Sequence, residues 1–232
     1  NVRYIINKEN FGRSKIRNFL AKKAKYNWLL FIDCDSIIEN KYFIKNYLNN
    51  TKFDGFVIYG KTTYQKNEPK KNKILHWTYG KKIEAKRKIK TFSSHHFLIQ
   101  KKIFSEVKFN EKIKNYGHED TIFWLNLKEK NYKFKYIENS LMNRLEDSKI
   151  FIEKTNEALN NLYQLSKTHD LSEISLIKFH RIVNIFLLKN FIVFIFKSVK
   201  GNLIKNLLSK KPNMFLFQFY KIGYYCQITK GN

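Results

Sequence analysis

The sequence predicts an α/β fold, a mostly parallel sheet flanked by helices, followed by a helical C-terminal extension. Short β-branched and aromatic runs alternate with helical periodicity in the first part of the chain, as expected of strand–helix–strand units. From Ser148 onward, helical periodicity dominates and strand signals are few. We therefore divide the chain into an α/β domain, residues 1–147, and a helical extension, residues 148–232.

The strand predictions rest on short apolar runs. They fall at residues 2–6, 28–32, 55–59, 97–99 and 134–137. The run at residues 28–32 (WLLFI) is continuously apolar, which predicts a buried central strand.

Helices are predicted where apolar residues recur every three or four positions. They fall at residues 12–25, 40–48, 151–165 and directly after Asp120. Residues 182–199 are strongly apolar but contain Asn184, Lys189 and Asn190. A membrane-spanning helix needs about 20 mostly apolar residues without a central charge, so we interpret this segment as an interfacial or packed helix.

The formal net charge of +26 raises the alternative of a nucleic-acid-binding protein. Only six of the 45 basic residues are Arg, the residue that makes bidentate contacts with bases and phosphates. The Lys residues are spread along the whole chain. We therefore expect no nucleic-acid partner and a general attraction to anions, with an anionic lipid surface as the more plausible polyanion.

The two cysteines, Cys34 and Cys226, lie far apart and form no metal-binding or disulfide pattern. This usage fits a reducing compartment. We expect a cytoplasmic protein, with peripheral contact at the inner face of the cell membrane as a further expectation.

Two carboxylates, Asp33 and Asp35, follow the run at residues 28–32. Ligands of open α/β sheets bind beyond the carboxyl ends of strands. A carboxylate pair there would form an oxygen site for Mg²⁺ or Mn²⁺ together with phosphate oxygens. The alternative is a pair of loop or capping residues.

Two further motifs lie at predicted helix starts. Glu119 and Asp120 follow Gly117 and His118, and could present a general base to a substrate or simply cap a helix. Residues 10–18 (NFGRSKIRN) combine a Gly turn, two Arg and Asn residues, a pattern that could bind phosphate or sugar, or form a helix cap with solvated basic residues.

Taken together and in this order, the three motifs resemble glycosyltransferase family 2, with its GT-A nucleotide-sugar-binding fold. The family pattern is N-x-G-x-x-x-x-R-N, then a strand ending in D-x-D, then G-x-E-D. The matching residues are Asn10, Gly12, Arg17, Asn18, Asp33, Asp35, Gly117, Glu119 and Asp120. Residues 116–121 (YGHEDT), residues 145–147 (LED) and the following Lys154 and Thr155 resemble a bacterial subgroup, so the likeness covers roughly residues 1–165.

This resemblance implies transfer of a sugar, with inversion, from a nucleotide-diphosphate sugar to a glycan or lipid-linked acceptor in cell-surface polysaccharide synthesis. Asp33 and Asp35 would hold Mg²⁺ or Mn²⁺ and the diphosphate. Asp120 would be the general base and Glu119 would orient the acceptor. The remaining donor-binding residues would be Asn10, Gly12, Arg17 and Asn18.

The sequence departs from the family pattern in three places. Nothing before Val2 matches the strand and P-x-Y-N-like turn with which the family begins, so we expect the first βα unit to be lacking. No His follows the last predicted strand as a further metal ligand, and Asn143 is nearest to that place. The subgroup tends to have Asn where this chain has His95 and His96, which would either contact substrate or be structural.

Two alternatives stay open at this point. The aromatic cluster of His76, Trp77 and Tyr79 would either stack on an acceptor or pack under a loop. The whole chain would either be an active transferase or a weak, truncated fragment that acts as a basic membrane- or polymer-binding module. A glycosidase using Asp33 and Asp120 without a metal is a remote further possibility.

Overall fold

A computed structural model describes residues 2–86 and 92–229. Its sheet comprises β1 (Trp28–Ile32), β2 (Phe56–Thr63), β3 (His96–Gln100) and β4 (Lys133–Met142), in the order β1-β3-β2-β4. The β3 strand is antiparallel to both of its neighbours, whereas β2 and β4 pair in parallel. The sheet is therefore mixed: β1, β2 and β4 point the same way, and β3 runs between two of them in the opposite direction.

Helices precede, separate and follow these strands in the described residues. Their bounds are α1 (Gly12–Lys23), α2 (Phe43–Leu48), α3 (Ile74–Tyr79), α4 (Lys101–Val107), α5 (Glu119–Glu129), α6 (Ser148–Leu165), α7 (Ser175–Ile185), α8 (Lys189–Leu207) and α9 (Met214–Ile228). A π-helical turn, Gly80–Glu84, continues α3. The predicted α/β architecture with flanking helices is confirmed.

Alternating residues of the strands build a core on each face of the sheet, as the period of two requires. Val57 and Phe97 face a cluster that includes Ala21 of α1 and Phe123 of α5. The intervening strand positions pack on the other face, against Phe43 and Tyr47 of α2. The sheet thus lies between helices, and its two cores fix the strand ends that carry the polar motifs.

The C-terminal helices pack against one another and against the helices near the sheet. Leu75 of α3 joins Ile152 of α6 and Phe217 of α9 in one buried cluster. Ile122 of α5 joins Leu159 of α6 in another. Residues after Ser148 are therefore helical, as predicted, and part of their core is shared with elements that precede them.

Three predictions about individual elements are wrong. Residues 2–6 form no strand; Val2 and Tyr4 are exposed and pair with none of the described strands. The β1 strand lies at an edge of the described sheet, and only Leu29 in it is fully buried. Residues 182–199 are not one helix, because the chain turns between α7 and α8.

Within the described residues, no helix by itself has the length and apolar composition needed to cross a bilayer. The pair α7 and α8 meets both conditions only when taken together, and its two helices are bent by 114°.

Candidate active site

A cavity of about 420 Å³ opens where β1, β2 and β4 end, the edge at which open α/β sheets bind ligands. Its walls carry seven carboxylate side chains and only four from Lys and Arg, although the chain has a net charge of +26. The carboxylates are Asp33, Asp35, Glu84, Glu119, Asp120, Glu138 and Glu146. This cavity is therefore an acidic site in a basic protein.

Two arginines of α1 hold Asp33, the first residue after β1. The Arg17 Nη2 atom lies 2.6 Å from Oδ1 of Asp33, and Arg13 Nη2 lies 3.2 Å from Oδ2. Arg17 is buried, and its guanidinium also lies over the ring of Phe109. Burial raises the pKa of Asp33, and the charges of Arg17 and Arg13 oppose that rise. Both oxygens of this carboxylate are thus engaged.

Arg13 also binds the second carboxylate motif. Its Nε atom lies 2.7 Å from Oε1 of Glu119, which is buried at the start of α5. Burial and the neighbouring Asp120 raise the pKa of Glu119, while Arg13 lowers it. One guanidinium therefore joins the motif that follows β1 to the motif that begins α5.

The turn before α5 uses two residues with positive φ. Gly117 has φ +93 and His118 has φ +67, so the chain enters the helix through left-handed conformations. Asn161 of α6 donates a side-chain hydrogen bond to the carbonyl of Gly117 and holds the turn from behind. This turn places Glu119 inward and leaves Asp120 partly exposed in the cavity wall.

The other two carboxylates of the motifs are more open. Asp35 is exposed, lines the cavity, and its carboxylate has no hydrogen-bond or ion-pair partner among the described residues. Asp120 Oδ1 accepts a hydrogen bond from the backbone N–H of Thr121 at 2.8 Å. A helix-capping role for Asp120 requires a bond of this kind. The bond uses only Oδ1 of Asp120, and the side chain also lines the cavity.

The carboxylates of the cavity differ in how well they fit a divalent cation. In the part of the chain that the structure describes, no three His, Cys, Asp or Glu side chains come together as a metal site. Asp35 fits the role of a ligand because its oxygens are free, whereas those of Asp33 are bound by arginines. Mg²⁺ is commonly held by one or two carboxylates plus substrate phosphates, and Asp35 can supply the protein's share of such a site.

Four residues predicted to bind the donor do not line the cavity: Asn10, Gly12, Arg17 and Asn18. Asn10 Oδ1 accepts the backbone N–H of Gly12 at 2.9 Å, and Gly12 has φ +69, which its lack of a side chain permits. Asn18 donates to the carbonyl of Phe109 and accepts the N–H of the same residue. In this structure these groups shape the start of α1 and attach it to the loop after α4.

The adjacent histidines have different surroundings. His96 is buried, with Nδ1 2.6 Å from the hydroxyl of Tyr47, and Nε2 faces the carbonyl of Lys61 at 3.3 Å. His95 lines the cavity, where its ring nitrogens contact the hydroxyls of Ser36 and Thr62. Burial lowers the pKa of both histidines to about 4. Only His95 is placed to touch a ligand.

The aromatic cluster after β2 is mostly packed. His76 stacks on Phe151 with ring centroids 4.5 Å apart, and Tyr79 contacts Phe217. The indole N–H of Trp77 donates to the carbonyl of Gln65. Of this cluster, only His76 lines the cavity, and it does so together with Phe151.

Several cavity residues were not singled out by the sequence analysis. Tyr64 donates a hydrogen bond to Glu84, and both line the cavity together with Tyr136 and Glu138. Glu146, which belongs to the LED motif, forms an ion pair with Lys154 of α6. No motif marks Tyr64, Glu84 or Glu138, because their shared position depends on the path of the chain after β2 and along β4.

Comparison with known proteins finds a family model that matches part of the chain. Residues 1–113 match the family model for glycosyl transferase family 2, the family that the motifs resemble. No curated protein matches the chain. Glycosyltransfer is therefore the general activity that the family supports. The matched residues include Asp33 and Asp35 and end before Glu119 and Asp120.

Proposed function

We propose that the protein is a metal-dependent, inverting glycosyltransferase that moves a sugar from a nucleotide-diphosphate sugar to an acceptor hydroxyl. The observation that carries the proposal is the acidic cavity at the strand ends. In it, Asp33 and Glu119 are fixed by Arg13, whereas Asp35 and part of Asp120 stay open. Residues 1–147 would form the catalytic domain, and α6 of the helical extension adds Phe151 and Lys154 to the wall.

On the donor side, Asp35 would hold Mg²⁺ or Mn²⁺ together with the diphosphate. When bound, the cation would neutralise the charge that develops on the departing nucleoside diphosphate. Asp33 would orient Arg13 and Arg17 through its two oxygens and would not itself bind the cation. The hydroxyls of Ser36 and Thr62 hold His95 in the same wall, which is a suitable position to contact the donor sugar.

On the acceptor side, Asp120 would accept the proton of the attacking hydroxyl. Its side chain lines the cavity, where Oδ2 is not used by the hydrogen bond to Thr121, and it follows the buried Glu119 in the chain. Glu119 would orient the acceptor and Arg13 would keep Glu119 in place. Because base and donor share one cavity, positioning would supply a large part of the rate.

The acceptor would be a glycan or a lipid-linked saccharide in the synthesis of a cell-surface polysaccharide. Polyhydroxyl ligands suit a wall that mixes carboxylates with Tyr64, Tyr116 and Asn143. Peripheral contact with an anionic membrane at the cytoplasmic face belongs to the same proposal, because a lipid-linked acceptor is presented there.

A panel of nucleoside-diphosphate sugars tests the function. We expect release of nucleoside diphosphate to depend on Mn²⁺ or Mg²⁺ and to fall by at least about tenfold in Asp35→Asn. Glu39→Gln, which changes an exposed acid outside the cavity, is the matched control and should keep the parental rate. Calorimetric binding of Mn²⁺ in the presence of nucleoside diphosphate gives a second readout. Equal metal binding by parent and Asp35→Asn would refute the assignment.

A further inference from the structure

The turn between α7 and α8 exposes an unusual run of large apolar side chains. We define the α7–α8 corner as residues 185–188 together with Phe191 and Phe194. Ile185 is 75% exposed, Phe186 68% and Leu187 86%. Single exposed apolar residues are common, but a contiguous apolar patch on an otherwise polar surface marks an interaction site.

The backbone of this corner is held in a defined turn. The N–H of Leu188 donates to the carbonyl of Val183, and the N–H of Leu187 donates to that of Asn184, both at 3.0 Å. These bonds form a Schellman motif, whose left-handed position is usually Gly. Here that position is Leu187, with φ +56. A leucine in a left-handed conformation, with its side chain in solvent, contributes nothing evident to folding.

The two arms of the corner are fixed to the rest of the protein. Val183 and Val193 are buried in one cluster with Ile222 and Cys226 of α9. The Lys189 ammonium donates to the carbonyl of Thr229 at 2.7 Å. The exposed apolar side chains therefore stand on a packed base and are not the frayed end of a helix.

The two helices that form the corner carry ionisable groups of one sign only, Lys and Arg, apart from His180. From Ile174 to the last residue the sequence contains ten Lys and Arg residues and no Asp or Glu. Lys178, Arg181 and Lys197 are exposed on the two helices that form the corner. An apolar tip flanked by cations, on two helices that contain no Asp or Glu, is complementary to a surface whose interior is apolar and whose headgroups are anionic.

We infer that the α7–α8 corner inserts its apolar tip into the interfacial layer of an anionic bilayer, while Lys178, Arg181 and Lys197 contact the headgroups. The bend of 114° presents the tip, and neither helix by itself has the length and apolar composition needed to cross a bilayer. This inference names the surface for the peripheral contact proposed above. It rests on the exposed residues of the corner and not on the catalytic assignment.

Flotation with vesicles of phosphatidylcholine and phosphatidylglycerol in equal amounts tests it, without any substrate. The parent chain should float with these vesicles and be released by high salt. Phe186→Ser combined with Leu187→Gly should weaken binding by at least about tenfold, since apolar burial sets interfacial affinity. Leu187→Gly suits the left-handed position, so thermal stability should not fall. Tyr26→Ser, which removes an exposed aromatic elsewhere, is the matched control and should bind like the parent.

Three results would overturn the inference. The first is that the corner variant floats as well as the parent. The second is that the parent stays in the membrane at high salt and is released only by detergent. The third is that the parent does not bind vesicles but associates with itself, and that the corner variant abolishes this self-association. The last result would assign the corner to contact between copies of the chain. Because no result depends on sugar transfer, failure here would remove the membrane contact and leave the proposed sugar transfer unaffected. Failure of the sugar transfer would in turn leave the corner unaffected.

Discussion

At the scale of single residues, Arg13 and Arg17 decide which carboxylates of the cavity are available. Arg17 is mostly buried and its only acidic partner in the described residues is Asp33, whereas Arg13 is 43% exposed and shared between Asp33 and Glu119. A buried ion pair tolerates loss of one partner poorly, because the other charge stays out of water. We therefore assign Arg17 mainly to stability and Arg13 mainly to the geometry of the site.

This assignment predicts different costs for two similar substitutions. Arg17→Gln should lower the free energy of unfolding by about 2 kcal/mol, less than the full cost of a broken buried pair because Arg13 remains beside Asp33. Arg13→Gln, the matched change at the more exposed position, should cost about 1 kcal/mol, because the buried Glu119 that loses its partner can become neutral by taking up a proton. Urea denaturation measures both. A larger loss for Arg13→Gln than for Arg17→Gln would contradict the assignment.

The histidines near the cavity should make the fold sensitive to acid. Burial lowers the pKa of His76, His95, His96 and His118 to about 4, from a usual value of 6.5. Between these values the unfolded chain binds more protons than the folded one, so stability present above about pH 6.5 is lost as the pH falls towards 4.

A single substitution checks this pH dependence. Removing one such group with His96→Gln should reduce the slope of unfolding free energy against pH by at most about 1.4 kcal/mol per pH unit, the value for one proton. Urea denaturation at several pH values in that window gives the slope. A slope identical to that of the parent would mean that His96 does not take up a proton on unfolding.

At the scale of helices and strands, local patterns predicted the type of most elements and missed their arrangement. The strand at residues 28–32 could be predicted because its run is continuously apolar. The helices near residues 12 and 151 could be predicted because their apolar residues recur every three or four positions. Strand direction leaves no trace in periodicity, so the reversal of β3 was missed. The turn between α7 and α8 was missed because it contains Leu187 where a turn signal would be Gly.

The candidate site likewise has features that the sequence predicts and features that only the folded chain shows. Its carboxylate pairs could be predicted because each lies in one short motif at the end of a strand or the start of a helix. The engagement of Asp33 by two arginines could not, since it depends on how α1 packs beside β1. Tyr64 follows β2 and Glu138 lies in β4, so they come to the same cavity only in the folded chain.

The entry into α5 gives a prediction at this scale. A Cβ atom on Gly117 would lie 2.7 Å from Cβ of Ala158, in addition to the strain of its positive φ. Gly117→Ala should therefore lower the free energy of unfolding by about 2–3 kcal/mol. Gly12→Ala, at a positive φ with open space around it, should cost only about 1 kcal/mol. Thermal or urea denaturation compares them, and equal costs would show that contact with α6 does not constrain this turn.

At the scale of the whole molecule, negative and positive charges are concentrated in different regions. The cavity carries a surplus of carboxylates, while the last 59 residues, from Ile174 onward, carry no acid at all. An acidic cavity suits a cation held with a diphosphate, and a basic surface suits an anionic membrane. The same distribution explains why net charge alone is a poor guide to the partner of this protein: the site and the surface have opposite signs.

The measurement that tests the central claim most directly is the turnover of Asp120→Asn compared with its affinity for nucleoside diphosphate. If Asp120 is the general base, the substitution should reduce turnover by ~10²–10⁴ and leave nucleotide affinity close to that of the parent. Glu119→Gln should act mainly on acceptor affinity. Asn is also a good capping residue, so a purely structural Asp120 would be replaced with little effect. Near-parental turnover in Asp120→Asn would therefore contradict the catalytic assignment.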